Sequence, residues 1–335
     1  MSPKDAYSGF AEGRRSRARL CVQAEPPWPT AIPWQLEGEN SAMIKNAAKL
    51  LATGIAVSAL VTVAFVDPAT AQEQEQRQHM INLAESQNML VQRISKELML
   101  VALNIDKNDN LRKLESSRAL FERTLKALRD GDNGLGSPGS RNPDFLEGLG
   151  KVGELWLLYD ATIRRSTKTQ TITADQVGTV ADLSRPIFDA VEEAVEILHE
   201  EARQKQLISM LDTTIELLAH QGALTQQMSK EFLLIAYGHE ADKNRKALKD
   251  SMALFDQTLD GLLNGNPEQQ LLPAPNAEIT AQLRMVARMW DEFRPLLSVG
   301  TRGSGIDRDS ITKVAEVNGP LLDAINEAIA MYESL

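Results

Sequence analysis

Cysteine is almost absent from this sequence, in which Cys21 is the single thiol among 335 residues. One cysteine cannot form an intramolecular disulfide, and it cannot supply the paired thiolates of a structural zinc site. The four histidines, His79, His199, His220 and His239, do not form the H-E-x-x-H pattern of zinc hydrolases. We therefore expect no metal site and no cofactor, and we expect packing to stabilise the folded state.

Aromatic residues are also scarce, at 5% of a chain that is 43% hydrophobic. Abundant Leu, Ala, Glu, Gln and Lys favour helices that pack through aliphatic side chains over sheets rich in aromatic residues. The sequence contains neither a G-x-S-x-G motif nor a P-loop. It predicts an all-α protein that is not an enzyme and has no catalytic residues. The formal net charge of −10 argues against nucleic acid as a partner.

Residues 43–71 have the order of a secretory signal peptide. A short basic start is followed by the apolar run Leu50–Val66 and by an A-x-A site that ends at Ala71. The apolar run is short for a membrane span, which needs ~20 residues, so we expect cleavage after Ala71 and a periplasmic protein. An uncleaved membrane anchor is the alternative. Residues 1–42 do not fit an export signal, and we interpret them as a mis-assigned extension ahead of a true start at Met43.

An internal repeat organises the rest of the chain. With an offset of 134 residues, Ile81–Asp132 aligns without a gap on Ile215–Asn266, with 20 identities in 52 positions. The register holds further on, because Trp156 then falls on Trp290. This self-similarity indicates a duplication.

Each copy predicts the same structure, an up-down bundle of about four helices. Amphipathic segments are separated by loops rich in Gly, Pro and Asn, which end helices and leave their neighbours antiparallel. We assign copy one to residues 78–204 and copy two to residues 205–335. The stretch from Ile187 to Gln221 contains neither Pro nor Gly. It therefore predicts that a continuous helix through Glu200–Asp212 joins the bundles.

Glutamines interrupt the apolar stripe on the first helix of each copy, at Gln87 and at the matched Gln221. A buried amide without a partner costs ~1–3 kcal/mol. We expect each glutamine to have a partner, which is either another side chain or a ligand. Gln92 and Gln226 are also matched. The recurring triplets Ser95–Glu97 and Ser229–Glu231 are typical of a solvated face with ion pairs.

These segments resemble the N-terminal domain of type IV pili methyl-accepting chemotaxis transducers, the PilJ type. In copy one the resemblance rests on Ile81–Ala84, Met89–Arg93, Lys96–Glu97 and Leu120–Leu125, and copy two matches more loosely, for example at Ser229–Glu231. It implies a periplasmic helical bundle that detects a small ligand or a partner protein. It further implies that a small helix displacement passes to a membrane-bound signalling or transport protein. A homodimer is an open alternative.

The same family is related to the sensor region of nitrate/nitrite sensor kinases, in which an arginine binds the anion across a dimer. Asn88 and Gly222 occupy that position here, and Glu85 replaces a nearby glycine. Loss of the cation works against nitrate, because a bidentate arginine suits a planar oxyanion. The candidate ligand-binding residues are Gln87, Asn88, Gln92, Arg93, Gln221, Gln226 and Gln227.

The sequence leaves two functions open. The first is a sensor that binds a small ligand and relays its state to a membrane partner. The second is a structural or interaction protein that docks to an envelope or pilus-related complex. A pocket between helices that is lined by the glutamines favours the first, whereas a well-filled core beside an exposed apolar stripe favours the second.

Overall fold

The computed structural model describes residues 68–204, 210–266, 271, 273–303 and 305–335, which belong to one compact unit. The predicted signal segment and the extension before it lie outside the described residues, apart from 68–71. The eight α-helices among the described residues are α1 (Pro68–Ala102), α2 (Lys107–Asp130), α3 (Pro143–Thr169), α4 (Ala174–Gln204), α5 (Met210–Tyr237), α6 (Ala241–Asn264), α7 (Ala277–Thr301) and α8 (Arg308–Glu333). None of them is long and apolar enough to cross a membrane.

The helices form two four-helix bundles. In bundle one, α1 to α4, each helix packs against the next and α4 closes the ring against α1. Bundle two, α5 to α8, repeats this arrangement. The described part of the chain has no strand; two matched isolated bridges, Asp132 to Ser137 and Asn266 to Leu271, close the loops after α2 and α6. The prediction of an all-α fold with two bundles is confirmed.

Matched details of the two bundles follow from the duplication. Phe121 stacks on Trp156 with ring centroids 4.0 Å apart, and Phe255 packs on Trp290 at 4.3 Å. Both Trp–Phe pairs join the second and third helices of their bundle. Such aromatic pairs contribute beyond their buried area.

The start of α4 shows how local sequence sets a helix boundary. Thr173 and Gln176 form a capping box, in which Gln176 N donates to Thr173 Oγ1 at 3.3 Å and Thr173 N donates to Gln176 Oε1 at 2.8 Å. Two backbone donors that the helix itself leaves unsatisfied thereby gain partners. A Thr followed three residues later by a Gln is therefore a local sequence signature of this helix start.

The bundles pack side by side through α1 and α5, and we call this contact the junction. Asn318 of α8 contacts Lys96 of α1 as well as Ser229 of α5. The N-terminal end of α8 reaches the end of α1, where Arg308 donates to Asn104 O at 2.6 Å. Because α1 and α5 both lie antiparallel to α8, they are parallel to one another. One hydrophobic core therefore extends across both bundles.

The prediction of a continuous helix through Glu200–Asp212 is wrong. Ser184 of α4 lies 3.3 Å from Lys230 Nζ of α5, whereas 46 residues of straight helix would separate them by about 69 Å. His199 Nε2 lies 3.9 Å from Glu216 Oε2, which shows the same antiparallel pairing nearer the connection. Residues 205–209, which connect α4 to α5 in the sequence, lie outside the described residues. Absence of Pro and Gly permits a helix but does not enforce one, and burial across the junction favours the reversal.

Candidate functional site

Gln87 and Gln221 are both buried, each with 1% exposure, as the interrupted stripes predict. Gln221 Nε2 donates to Phe255 O on α6 at 3.2 Å, while its Oε1 has no partner among the described residues. Neither polar atom of Gln87 has a partner within the described part of the chain. Gln221 is thus partly satisfied by its own bundle, whereas Gln87 bears an unsatisfied amide.

Gln92 spans the junction. Its Oε1 accepts a 2.7 Å hydrogen bond from Lys230 Nζ of α5, and the same ammonium donates to Ser184 Oγ of α4 at 3.3 Å. Gln92 has 1% exposure and Lys230 has 8%. This contact connects the two bundles through buried polar groups.

The matched contact on the opposite side of the junction is incomplete. Lys96, the counterpart of Lys230, donates to Asn318 Oδ1 at 2.7 Å. Asn318 Nδ2 donates in turn to Thr225 O and to Ser229 Oγ, both at 2.9 Å, which places Lys96 beside the turn of α5 that includes Gln226. Gln226 is fully buried, and its Oε1 has no partner in the described residues. The bond that would match Lys230–Gln92 is therefore not made.

Arg93 and Gln227 occupy matched positions and form similar local contacts. Arg93 Nε donates to Glu97 Oε1 at 3.0 Å, and Gln227 Nε2 donates to Glu231 Oε1 at 2.9 Å. Gln227 also donates to Ser251 Oγ on α6 at 3.1 Å. These two residues hold buried carboxylates in place.

Asn88 faces α4 within bundle one. Its Nδ2 donates to Glu192 Oε1 at 2.6 Å, and its Oδ1 has no partner among the residues described. The matched Gly222 lies against the apolar α8, where an added Cβ would meet Leu322 at 3.2 Å. The two positions that replace the arginine of the nitrate sensors therefore have different surroundings.

The triplets that the sequence assigns to a solvated face are buried in large part, so that prediction is wrong. Ser95, Glu97 and Ser229 each have 1% exposure, and Glu231 has 3%. The error arises because Ser95 and Glu231 face other helices of their own bundles. Ser95 Oγ lies 2.8 Å from the Tyr159 hydroxyl of α3, and Ser251 Oγ of α6 donates to Glu231 Oε1 at 3.3 Å. A matched Ser-Lys-Glu in both copies was the available signal, because a duplicated bundle buries equivalent positions.

Burial changes the proton affinities of these charged groups. It lowers the pKa of Lys96 to about 8 and also lowers the pKa of Lys230, in each case against the opposing effect of the neighbouring glutamate. Burial raises the pKa of Glu231, which Lys230 partly opposes. Among the described residues, Lys96 donates to the amide of Asn318, and Lys230 donates to the amide of Gln92 and the hydroxyl of Ser184. Lys96 is partly buried and Lys230 is buried, and ammonium groups are costly to remove from water. Shifted pKa values of this kind are frequent at functional sites.

An open surface depression lies elsewhere, along α2, where Glu122, Arg123 and Asp132 border it. It contains none of the predicted residues. The chemistry of the junction differs, since it combines amide donors and acceptors with buried ammonium groups. These groups can recognise a small polar molecule by hydrogen bonds.

Comparison with known families agrees with this arrangement of two similar bundles. The family described as "Type IV pili methyl-accepting chemotaxis transducer N-term", PilJ, matches residues 69–183 and again residues 193–310, which together exceed half of the chain. The chain belongs to this family. The resemblance seen in the sequence is thereby confirmed, and the family is one of transducer sensor modules.

Among solved structures, the ligand-binding domain of the P. aeruginosa nitrate receptor McpN is similar to this PilJ-family chain at 25% sequence identity. The similarity covers 36% of this chain and 94% of that domain, with a TM-score of 0.33. A comparison with curated proteins finds no match.

Proposed function

We propose that this chain is a periplasmic, non-enzymatic sensor that binds a small polar molecule at the junction, beside Lys96 and Gln226. The proposal rests on the hydrogen bond between Lys96 and Gln226 that is not made there. Among the described residues, Lys230 has two acceptors, whereas Lys96 has one and Gln226 Oε1 is buried without a partner. A ligand that accepts from Lys96 and donates to Gln226 would satisfy both groups.

This pairing favours a molecule with both a donor and an acceptor, such as an amino acid or an amide. Nitrate only accepts hydrogen bonds, so it leaves Gln226 Oε1 unsatisfied. The replacement of the expected arginine by Asn88 and Gly222 argues in the same direction.

The buried position of these groups couples binding to movement. A ligand must separate α1 from α5 to reach Gln226, and the parallel arrangement lets such a displacement travel along both helices. We propose that a membrane-bound signalling or transport protein detects this displacement. A ligand shifts such an equilibrium only by its difference in affinity for the two states.

We also propose the cellular location of the protein and the boundaries of its domains. The signal peptide, residues 43–71, is removed after Ala71, and the copies are residues 78–204 and 205–335. N-terminal sequencing of periplasmic extract should give Gln72. Recovery in membranes of a chain that retains Leu50–Val66 would contradict release into the periplasm.

A thermal-shift screen of the purified chain against amino acids, amides, small peptides and oxyanions tests the binding. A ligand of the folded state raises the melting temperature by mass action, by the equivalent of ~2.7 kcal/mol at a concentration 100 times its Kd. Gln226→Leu should abolish the shift. The control is Gln282→Leu, because Gln282 donates to Ala324 O between α7 and α8, away from the junction. Equal shifts in both variants would exclude the junction as the binding site.

One observation favours docking to an envelope complex as the second candidate function. Leu157 and Leu158 on α3 are 72% and 58% exposed, and acidic Asp291 and Glu292 occupy the matched positions of bundle two. Adjacent exposed leucines on one bundle alone fit a partner-binding surface. Under this alternative, which involves no small ligand, Leu157→Asp would release the chain from its complex, and no compound of the thermal-shift screen would raise the melting temperature of the wild-type chain.

A further inference from the structure

Three helices bring a histidine and two carboxylates together at one end of the junction. His199 of α4 is buried, with 6% exposure, and its Nε2 lies 3.1 Å from Glu85 Oε1 of α1. Glu216 of α5 places Oε2 3.9 Å from the same nitrogen. One ligand atom from each of the three residues lies within 4.8 Å of the others. The group thus joins both bundles and involves no residue of the Lys96 site.

A further oxygen atom in this region lacks a partner. Asn88 follows Glu85 by three residues, so both side chains lie on one face of α1. Asn88 has 5% exposure, its Nδ2 binds Glu192, and its Oδ1 has no partner among the described residues. Glu192 lies two turns before His199 on α4 and adds a third carboxylate to the region. The region therefore combines excess negative charge with an unsatisfied carbonyl oxygen, and a cation would satisfy both.

We propose that Glu85, His199 and Glu216 bind a divalent transition-metal ion, with Asn88 Oδ1 as an additional oxygen donor. One imidazole with carboxylates suits zinc and its first-row neighbours. Ligands ~2.0–2.2 Å from a zinc ion lie ~3.3–3.5 Å apart in a tetrahedral site. The present separations of 3.1 and 3.9 Å fall on either side of that value, so small side-chain rotations suffice.

The duplication provides a matched site that lacks the metal-binding residues. The counterparts of Glu85, His199 and Glu216 are Ala219, Glu333 and Asn82. Asn82 Nδ2 donates to Glu333 Oε1 at 2.9 Å, so an amide and a carboxylate satisfy one another there. The metal site therefore occurs on one side of the junction only. A bound ion would hold α1 and α4 of bundle one against α5 of bundle two.

Calorimetric titration of the purified chain with zinc tests this proposal. We expect one strong site, accompanied by a rise in melting temperature. His199→Gln should weaken binding by more than the ~10–100-fold that loss of an outer-sphere partner costs. Glu216→Gln, at a half-exposed position, should do the same without risk to folding. Glu333→Gln is the matched control, and His239→Gln controls for the exposed group of Asp182, His239 and Glu240.

Cobalt as a spectroscopic probe provides a second readout. A protein site with a nitrogen ligand should give visible absorption on addition of cobalt(II), and this absorption should disappear in His199→Gln. Zinc binding that is equal in all four variants would show non-specific uptake by an acidic surface and would overturn the proposal. Absence of zinc binding by the wild-type chain would also overturn it. Either result leaves the thermal shift by a polar ligand unaffected, so it is distinguishable from failure of the proposed function.

Discussion

Replacement of Gln87 by leucine separates a structural role of this amide from a functional one. Both polar atoms of Gln87 are buried and unpaired among the described residues. An unsatisfied buried polar group costs ~1–3 kcal/mol, and a swap of similar size costs less than ~1.5 kcal/mol. We therefore expect Gln87→Leu to raise the free energy of unfolding by ~1 kcal/mol.

The matched Gln221→Leu is the comparison. It removes the hydrogen bond to Phe255 O, with a net loss of ~0.5–1.5 kcal/mol, and it also removes an unpaired Oε1. These effects nearly cancel, so Gln87→Leu should be the more stable variant by ~1 kcal/mol. Urea unfolding measures the difference as a change in midpoint at constant slope. If Gln87→Leu proved less stable than the wild type by ~1 kcal/mol or more, the amide would have a structural partner and the reasoning would fail.

Three further predictions concern the junction, the cap of α4 and the aromatic pairs. Burial lowers the pKa of Lys96 from 10.5 to about 8. Above pH 8 the unfolded state therefore binds more protons than the folded state. The free energy of unfolding then rises with pH, by up to ~3 kcal/mol. Lys96→Met should reduce the rise in unfolding curves measured between pH 7 and 10, with the contribution of Lys230, whose pKa is also lowered, remaining. An unchanged rise would contradict the assignment. Thr173→Ala should lower stability by ~1 kcal/mol through loss of the cap, measured by thermal unfolding, whereas an effect below ~0.3 kcal/mol would argue against the capping box. Trp290→Phe removes a 2.7 Å hydrogen bond from Trp290 Nε1 to Asp256, so calorimetry should show a greater loss of stability than for Trp156→Phe. Equal losses of stability would mean that this bond contributes little.

Much of the fold could be predicted from local patterns. Helical periodicity and the offset repeat predicted two matched bundles, because a duplicated segment buries the same stripe twice. The T-x-x-Q pattern of Thr173 and Gln176 is a second local signature, because two side chains three residues apart define a helix start. These features depend on neighbours within a few turns of the chain.

The packing of the two bundles could not be predicted in the same way. Lack of Pro and Gly around Glu200 does not say whether the chain continues or reverses, since side-by-side burial decides it. Lys96 and Lys230 have the charge expected of surface residues, and each enters the interior only because the other bundle covers it. The group of Glu85, His199 and Glu216 was missed for the same reason, because its members come from helices distant in sequence.

Hydrogen exchange with and without the compound that the thermal-shift screen selects tests the central claim most directly. If the ligand binds beside Lys96 and Gln226, amide protection should change along the paired faces of α1 and α5, with the outer helices α3 and α7 little affected. Gln226→Leu should abolish the change. Protection that changes only in α3, in α7 or in the loops, or a full response in Gln226→Leu, would contradict recognition at the junction.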